Sequence, residues 1–295
     1  MVGKIINVPK PLTGSQIEMF TAYKLRKLGH GKPLTENQEK VFTSLQYKDD
    51  QSRVFSLSDG NKKILSELVF AEKYGRKKEI NSDKLTKGIE CEKEARDLLS
   101  RVSGWFFTAS TERKSNKWVT GAIDIEPTEV ILDIKSSYSW ESYSKILESS
   151  ANEIYLRQGD SYMDLWKLKE FLLCHILVDT PFQIVEREVK RLDYQFDILN
   201  IEGDVRDENI EDVKKVITNH IFSQKGLESF CAYSSNVHLD WFDDFVEIPE
   251  QDRVHMISHS FDQVRIDQRN ECISLAREYM KTVKPVNNFN INLIK

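Results

Sequence analysis

Asp124, Asp133 and Lys135 are the side chains whose types and spacing could do chemistry. They lie in residues 119–138, VTGAIDIEPTEVILDIKSSY. There Ile123, Ile125, Val130, Leu132 and Ile134 alternate with polar or small residues, and Glu126-Pro127-Thr128-Glu129 interrupts the run. That pattern predicts two short strands joined by a turn. With a loop of even length, Asp124 falls opposite Ile131 and Asp133 becomes its diagonal neighbour. Strand side chains repeat every two residues, so two carboxylates and the Lys135 ammonium project from one side while the aliphatics enter a core. Like charges this close are unfavourable alone, and a divalent cation between them relieves the repulsion. The outline is that of a hydrolytic metal site. The plainer alternative is a solvated hairpin face whose charges keep a sheet edge soluble.

Strands need a frame to hold such a site. Residues 84–102, KLTKGIECEKEARDLLSRV, predict a helix with Ile89, Ala95, Leu98, Leu99 and Val102 as its apolar stripe and Glu92 at the margin. Residues 105–109 read as a strand, 111–117 as a basic loop and 143–169 as mainly helical. The nearly wholly apolar FLLCHILV between Glu170 and Asp179 suits a central, buried strand. Cys174 and His175 point to opposite faces of such a strand, so they read as packed residues rather than a catalytic pair. FQIVEREV, within residues 181–194, suggests one more strand. The resulting order is helix, three strands, helix, strand. Residues 1–85 read as helical and polar, with helices expected over 15–28 and 61–74; amphipathic helices are expected over 209–222 and 263–283, and an irregular tail from Pro285. His255 and His259 have metal-ligand spacing on a helix, but with no carboxylate between them they read as surface or packing residues.

Composition narrows the class. The 295 residues are 40% hydrophobic and 30% charged, as in a soluble globular protein. No apolar run approaches a membrane span, and the first residues, MVGKIINVPKPLTG, lack the apolar core of a signal peptide. Cys91, Cys174, Cys231 and Cys272 stand far apart with no CxxC pair, which argues for a reducing, cytoplasmic setting and against zinc or iron–sulfur binding. The formal charge is −5, but residues 201–250 hold 12 acidic against 4 basic residues, so the rest of the chain carries +3. Basic clusters occur at residues 24–27, 76–78 and 113–117, and local basic surface governs phosphate binding more than the sum does. No GxSxG, P-loop or HExxH motif appears, so a generic hydrolase finds no support.

Three blocks give the chain a resemblance to a known family. Gly88-Ile-Glu-Cys-Glu92-Lys-Glu-Ala95-Arg96 resembles a G-x3-E-x2-A-R helix. Gly121-Ala-Ile-Asp124 followed by Asp133-Ile-Lys135 resembles G-x-P-D and (D/E)-x-K strands. Gln158-Gly-Asp-Ser-Tyr162 resembles a Q-x3-Y helix. Together they resemble the PD-(D/E)XK nucleases, in the YqaJ-type viral recombinase or lambda-exonuclease-like branch, over residues 84 to about 180. The resemblance implies a mixed α/β (α+β) fold: a restriction-endonuclease-like αβββαβ core with a mixed central sheet flanked by helices. The nuclease core would span 84–195, with a helical region 1–83 packed on it and an acidic, mainly helical region 196–295.

The same resemblance implies roles. Asp124, Asp133 and the backbone carbonyl of Ile134 would ligate one or two Mg2+ or Mn2+ ions, with Glu92 as a further carboxylate; Glu90 and Glu94 flank it and compete for that place. Lys135 would orient the attacking water and stabilise charge on the phosphate. Gln158 and Tyr162, one helical turn apart, would support the site and touch substrate. Ile123 replaces the family's proline, and Asp133 its commoner glutamate, without removing a ligand. The implied activity is an exonuclease on linear duplex DNA, 5′ to 3′, serving recombination or repair with a single-strand annealing protein, phage-type, acting in the host cytoplasm and open to homo-oligomerisation. A structure-specific or restriction-type endonuclease and a non-catalytic DNA-binding module of the same fold are the alternatives. The acidic stretch 201–250 would repel a phosphate backbone, so it is expected to face away from DNA or to meet a protein partner.

Overall fold

The structure, a computed structural model, describes residues 13–52, 57–76, 82–149 and 151–285. In chain order its elements are α1 (Gly14–Lys27), α2 (Glu36–Ser52), α3 (Asp59–Tyr74), α4 (Asp83–Glu90), α5 (Glu92–Ser103), β1 (Arg113–Ser115), β2 (Thr120–Ala122) and β3 (Val130–Ser136). There follow α6 (Trp140–Glu148), α7 (Glu153–Trp166), β4 (Glu170–Ile176), α8 (Phe182–Phe196), α9 (Ile210–Thr218), α10 (Gln224–Tyr233), β5 (Val254–Ser260) and α11 (Gln263–Thr282). Residues 79–262 make one compact unit; those up to 78, together with those from 263, make another.

The larger unit is built on a mixed sheet ordered β3-β4-β5. The apolar run expected to be central is central: β4 pairs in parallel with β3 and antiparallel with β5. Strand alternation then sorts two faces. Leu132 and Ile134 of β3 and Cys174 and Ile176 of β4 pack with Ala95, Leu98 and Leu99 of α5. On the other face Ile131, Phe171 and Leu173 pack with Tyr162, Met163, Leu165 and Trp166 of α7. Cys174 and His175 do lie on opposite faces, as the strand period requires.

Glycine sets the docking distance of α7. A Cβ at Gly159 would stand 2.5 Å from Phe171 Cδ1, and one at Gly121 would stand 2.7 Å from Tyr162 Cε1. Both glycines are therefore places where backbone meets an aromatic ring directly. On the α5 side, the buried Lys87 of α4 donates to the Tyr138 carbonyl (3.1 Å) and to Thr180 Oγ1 (2.8 Å), tying the turns that follow β3 and β4.

Several expectations need correction. The 119–138 stretch is not a hairpin: β2 pairs with β1, and residues 124–126 bond to 108–110, while β3 takes β4 as its partner. A seven-residue parallel register against a largely apolar, central strand outweighs the local turn. The strand expected over 105–109 shrinks to one bridge, Ala109 with Ile125, and Trp105 and Phe106 are exposed. The helix expected over 84–102 is interrupted at Cys91 (φ −93°, ψ 0°), whose buried thiol faces the Asp179 carbonyl, and Ile89 turns outward. FQIVEREV is not a strand but the start of α8, because the buried Ile184, Val185 and Val189 have helical spacing, and Val185 and Val189 fill the core shared with Val213, Ile217 and Phe230. Residues 255–259 lie in β5, not on a helix, so their two histidines are separated by three extended residues.

The acidic region is helical, as expected, in α9 and α10, with three short 3₁₀ turns. In the other unit α1 and α3 match the two expected helices, and α2 was not foreseen. Phe20 stacks on Phe42 between α1 and α2 at 5.4 Å, and α3 meets α11 through Ser66 and Tyr279 (3.2 Å). Residues 77–78 of one basic cluster and the tail from 286 lie outside the described residues. Among the described residues, no helix is long and apolar enough to cross a membrane.

Candidate active site

The α7-facing side of the sheet carries the charges. Asp133 is completely buried there, and Lys135 follows two residues on with its side chain 24% exposed. Lys135 Nζ stands 2.6 Å from Asp133 Oδ2. The contact is ionic: neither Asp133 oxygen receives a hydrogen bond of good geometry. Asp124 reaches the same place from the strand segment beside β3, and its Oδ2 accepts the Ile134 N–H at 3.1 Å. Asp124, Asp133 and Lys135 are therefore brought together, through an edge contact rather than the expected hairpin register. Burial of Asp133 also excludes the solvated-face alternative.

Electrostatics follow from this geometry. Burial pushes the Asp133 carboxyl up to about 6 against the pull of Lys135, and the neighbouring Asp124 adds to the push. Burial alone would lower Lys135, but the Asp133 and Asp124 carboxylates outweigh it and hold the ammonium charged. Tyr162 is raised by burial and by the same carboxylates, against a hydrogen bond from Gln158. Gln158 Nε2 donates to Tyr162 Oη at 2.6 Å, so the pair expected on one helix face is joined and stands beside the charged group.

Glu92 is not brought to this group. It is exposed in the first turn of α5, and among the described residues no three His, Cys, Asp or Glu side chains converge as a metal site. Glu90 is exposed as well, and Glu94 bonds Arg101. The fit to a divalent cation rests instead on two neighbouring carboxylates, one of them completely buried with only the Lys135 ammonium against it, and on the hard-oxygen character of the set.

Three neighbours were not foreseen as parts of the site. His175 lies directly across from Lys135, and His255 directly across from His175. Tyr155 of α7 covers both: its ring centroid is 5.3 Å from Lys135 Nζ and 5.9 Å from the His175 ring. Burial, His255 and Lys135 push His175 down to about 4, so it is neutral. Its place next to Lys135 depends on which strand pairs with which, and no local spacing reports that. His259 bonds the buried Asp160 of α7 at 2.9 Å, which makes it a packing residue, as read from its spacing.

No protein-family model matches the chain, and no curated protein is similar to it at a significant level. Solved structures are similar. A phage-related exonuclease from Haemophilus somnus 129PT is 18% identical, with a TM-score of 0.51, over 85% of this chain and 89% of its own. The alkaline exonuclease LHK-Exo from Laribacter hongkongensis is 12% identical, with a TM-score of 0.45, over 76% and 81%. The likeness to the first shows the fold. It is a mixed α/β fold, with its core in the order α5-β1-β2-β3-α7-β4.

Proposed function

We propose that the chain is a divalent-metal-dependent deoxyribonuclease, an exonuclease that hydrolyses phosphodiester bonds of linear duplex DNA from its ends. The observation that carries this reading is Asp133: a completely buried carboxylate, beside the second carboxylate of Asp124, with the Lys135 ammonium 2.6 Å from its Oδ2. An arrangement so costly to bury has a chemical use more readily than a structural one. The fold shared with a protein described as a phage-related exonuclease supports the same class.

Asp124, Asp133 and the Ile134 carbonyl would hold magnesium or manganese, which suit hard oxygen donors. Bound there, one or two such ions supply Lewis-acid activation of water and neutralise charge at a phosphate. Lys135 keeps a fixed positive charge beside the carboxylates, where negative charge grows on the phosphate, and orients the attacking water. Tyr162, its hydroxyl kept protonated, donates toward substrate, and Gln158 fixes its position. Glu92 is proposed as a further carboxylate on sequence spacing alone. The sequence resemblance extends the proposal to 5′-to-3′ digestion in a phage-type recombination system, with a single-strand annealing protein as partner.

The test is cleavage of 5′-end-labelled linear duplex by wild type and Lys135→Ala, in magnesium, manganese or EDTA, with a closed circular duplex in parallel. Metal-dependent loss of the linear duplex by wild type alone is the expected result, and the released label reports polarity. Cleavage of the circle would make the protein an endonuclease. No cleavage by either protein in any metal would overturn the enzymatic reading in favour of a binding role.

A further inference from the structure

The basic cluster at residues 113–117 was left unassigned by the site, and the structure gives it a definite place. β1 and β2 form a short antiparallel hairpin with Arg113 opposite Ala122, two residues before Asp124. The hairpin is thus rooted at the catalytic carboxylates and extends away from them. From Asp124 to Thr120 is four residues, or about 13 Å of extended chain. Successive nucleotides of one DNA strand advance about 3.4 Å along the helix axis, so the arm spans roughly four of them.

Its charge is one-sided. Residues 111–119 hold Arg113, Lys114 and Lys117 against Glu112 alone. Lys114 turns inward over the Trp166 ring (5.1 Å) and meets Glu112 at 3.5 Å. Arg113 and Lys117 are exposed and have no carboxylate partner among the described residues, and Lys117 lies over the Trp118 ring at 4.7 Å.

The arm is also held firmly. Asn116 Oδ1 accepts the N–H groups of Trp118 (2.8 Å) and Val119 (3.0 Å), and its Nδ2 donates to Asp164 of α7 at 3.1 Å. At the other end Trp166 Nε1 donates to Glu112 at 2.8 Å. Two uncompensated cations are therefore fixed relative to Asp124 before any ligand arrives, which lowers the ordering cost of binding.

We infer that the β1–β2 hairpin is an arm that grips the DNA sugar–phosphate backbone beside the scissile bond, with Arg113 at its root and Lys117 at its tip. The inference rests on the nuclease reading and adds the surface by which this chain holds its substrate. Phosphate contacts of this kind position a duplex without reading its sequence.

The test measures binding rather than cleavage. Fluorescence anisotropy of an end-labelled duplex in EDTA is followed across a salt series for wild type and for Arg113→Gln/Lys117→Gln. The double variant is expected to bind about tenfold more weakly and to lose about 2 from the slope of log K against log salt, roughly 0.9 per phosphate contact. Arg113→Lys/Lys117→Arg, which keeps both charges, is expected to keep the slope. Lys145→Gln/Lys190→Gln, at two exposed lysines already paired with Glu141 and Glu186, removes the same charge and is expected to leave binding unchanged. An unaltered slope in the first variant, or an equal loss in the lysine control, overturns the arm while wild-type binding and cleavage stand. Absence of duplex binding by wild type overturns the arm and the DNA-directed reading together.

Discussion

The two faces of one sheet follow different rules. Toward α5, β3 and β4 present Leu132, Ile134, Cys174 and Ile176 to Ala95, Leu98 and Leu99, and the packing is wholly apolar. Toward α7, the same two strands present Asp133 and His175, both buried, and the partly enclosed Lys135 paired with Asp133. The first face is what a fold needs to be stable. The second spends stability on a charge cluster, and only the first lets it do so.

Asp133→Asn separates the faces most sharply. Cleavage is expected to fall about 10²- to 10³-fold or more, while the thermal midpoint measured without metal falls far less than for a core truncation, because Asp124 remains to balance the Lys135 charge. Leu98→Ala is the mirror image. Denaturant unfolding should show a loss of about 2–5 kcal/mol, with cleavage per folded molecule unchanged. A Leu98 variant that lost activity but not stability would merge the two faces.

A smaller effect sharpens the comparison through pH. His175 is held neutral down to about 4 in the folded chain, against an ordinary value of 6.5. The unfolded chain therefore takes up this proton first as pH falls below 6.5. Stability is lost between pH 6.5 and 4 and is unaffected above that window. In His175→Gln this acid loss should shrink by on the order of 2 kcal/mol, read from unfolding midpoints across the window. An unchanged acid slope would mean that His175 titrates normally and that the α7 face is wetter than its packing suggests.

What the sequence disclosed follows from which interactions are local. The stripe Ala95, Leu98, Leu99 is a helix pattern whatever it packs on, and the unbroken run of β4 needs two covered faces wherever it lies. Asp133-x-Lys135 shares a face by strand period alone, and Gln158 and Tyr162 by helix period. Strand partners are a different matter. Asp124 reaches Asp133 because residues 124–126 pair with 108–110 and lie along β3, and no spacing within 119–138 encodes that. His175 entered the site by the same route, through β4 pairing with β3. FQIVEREV misled because branched residues in near alternation also satisfy the helical positions 184, 185 and 189, and the core of the acidic region decided between them.

The bond from the Ile134 N–H to Asp124 has a consequence beyond chemistry. β3 is the last strand of its sheet, so the side away from β4 offers unpaired backbone groups to any extended chain that meets it. Asp124 occupies one of those groups with a carboxylate, and a neighbouring molecule's strand cannot seat itself there without expelling a charge. The residue proposed to hold the metal therefore also stoppers the sheet against self-assembly. A chain stripped of it is exposed to loss by aggregation as well as by inactivity, and its soluble yield belongs beside its rate.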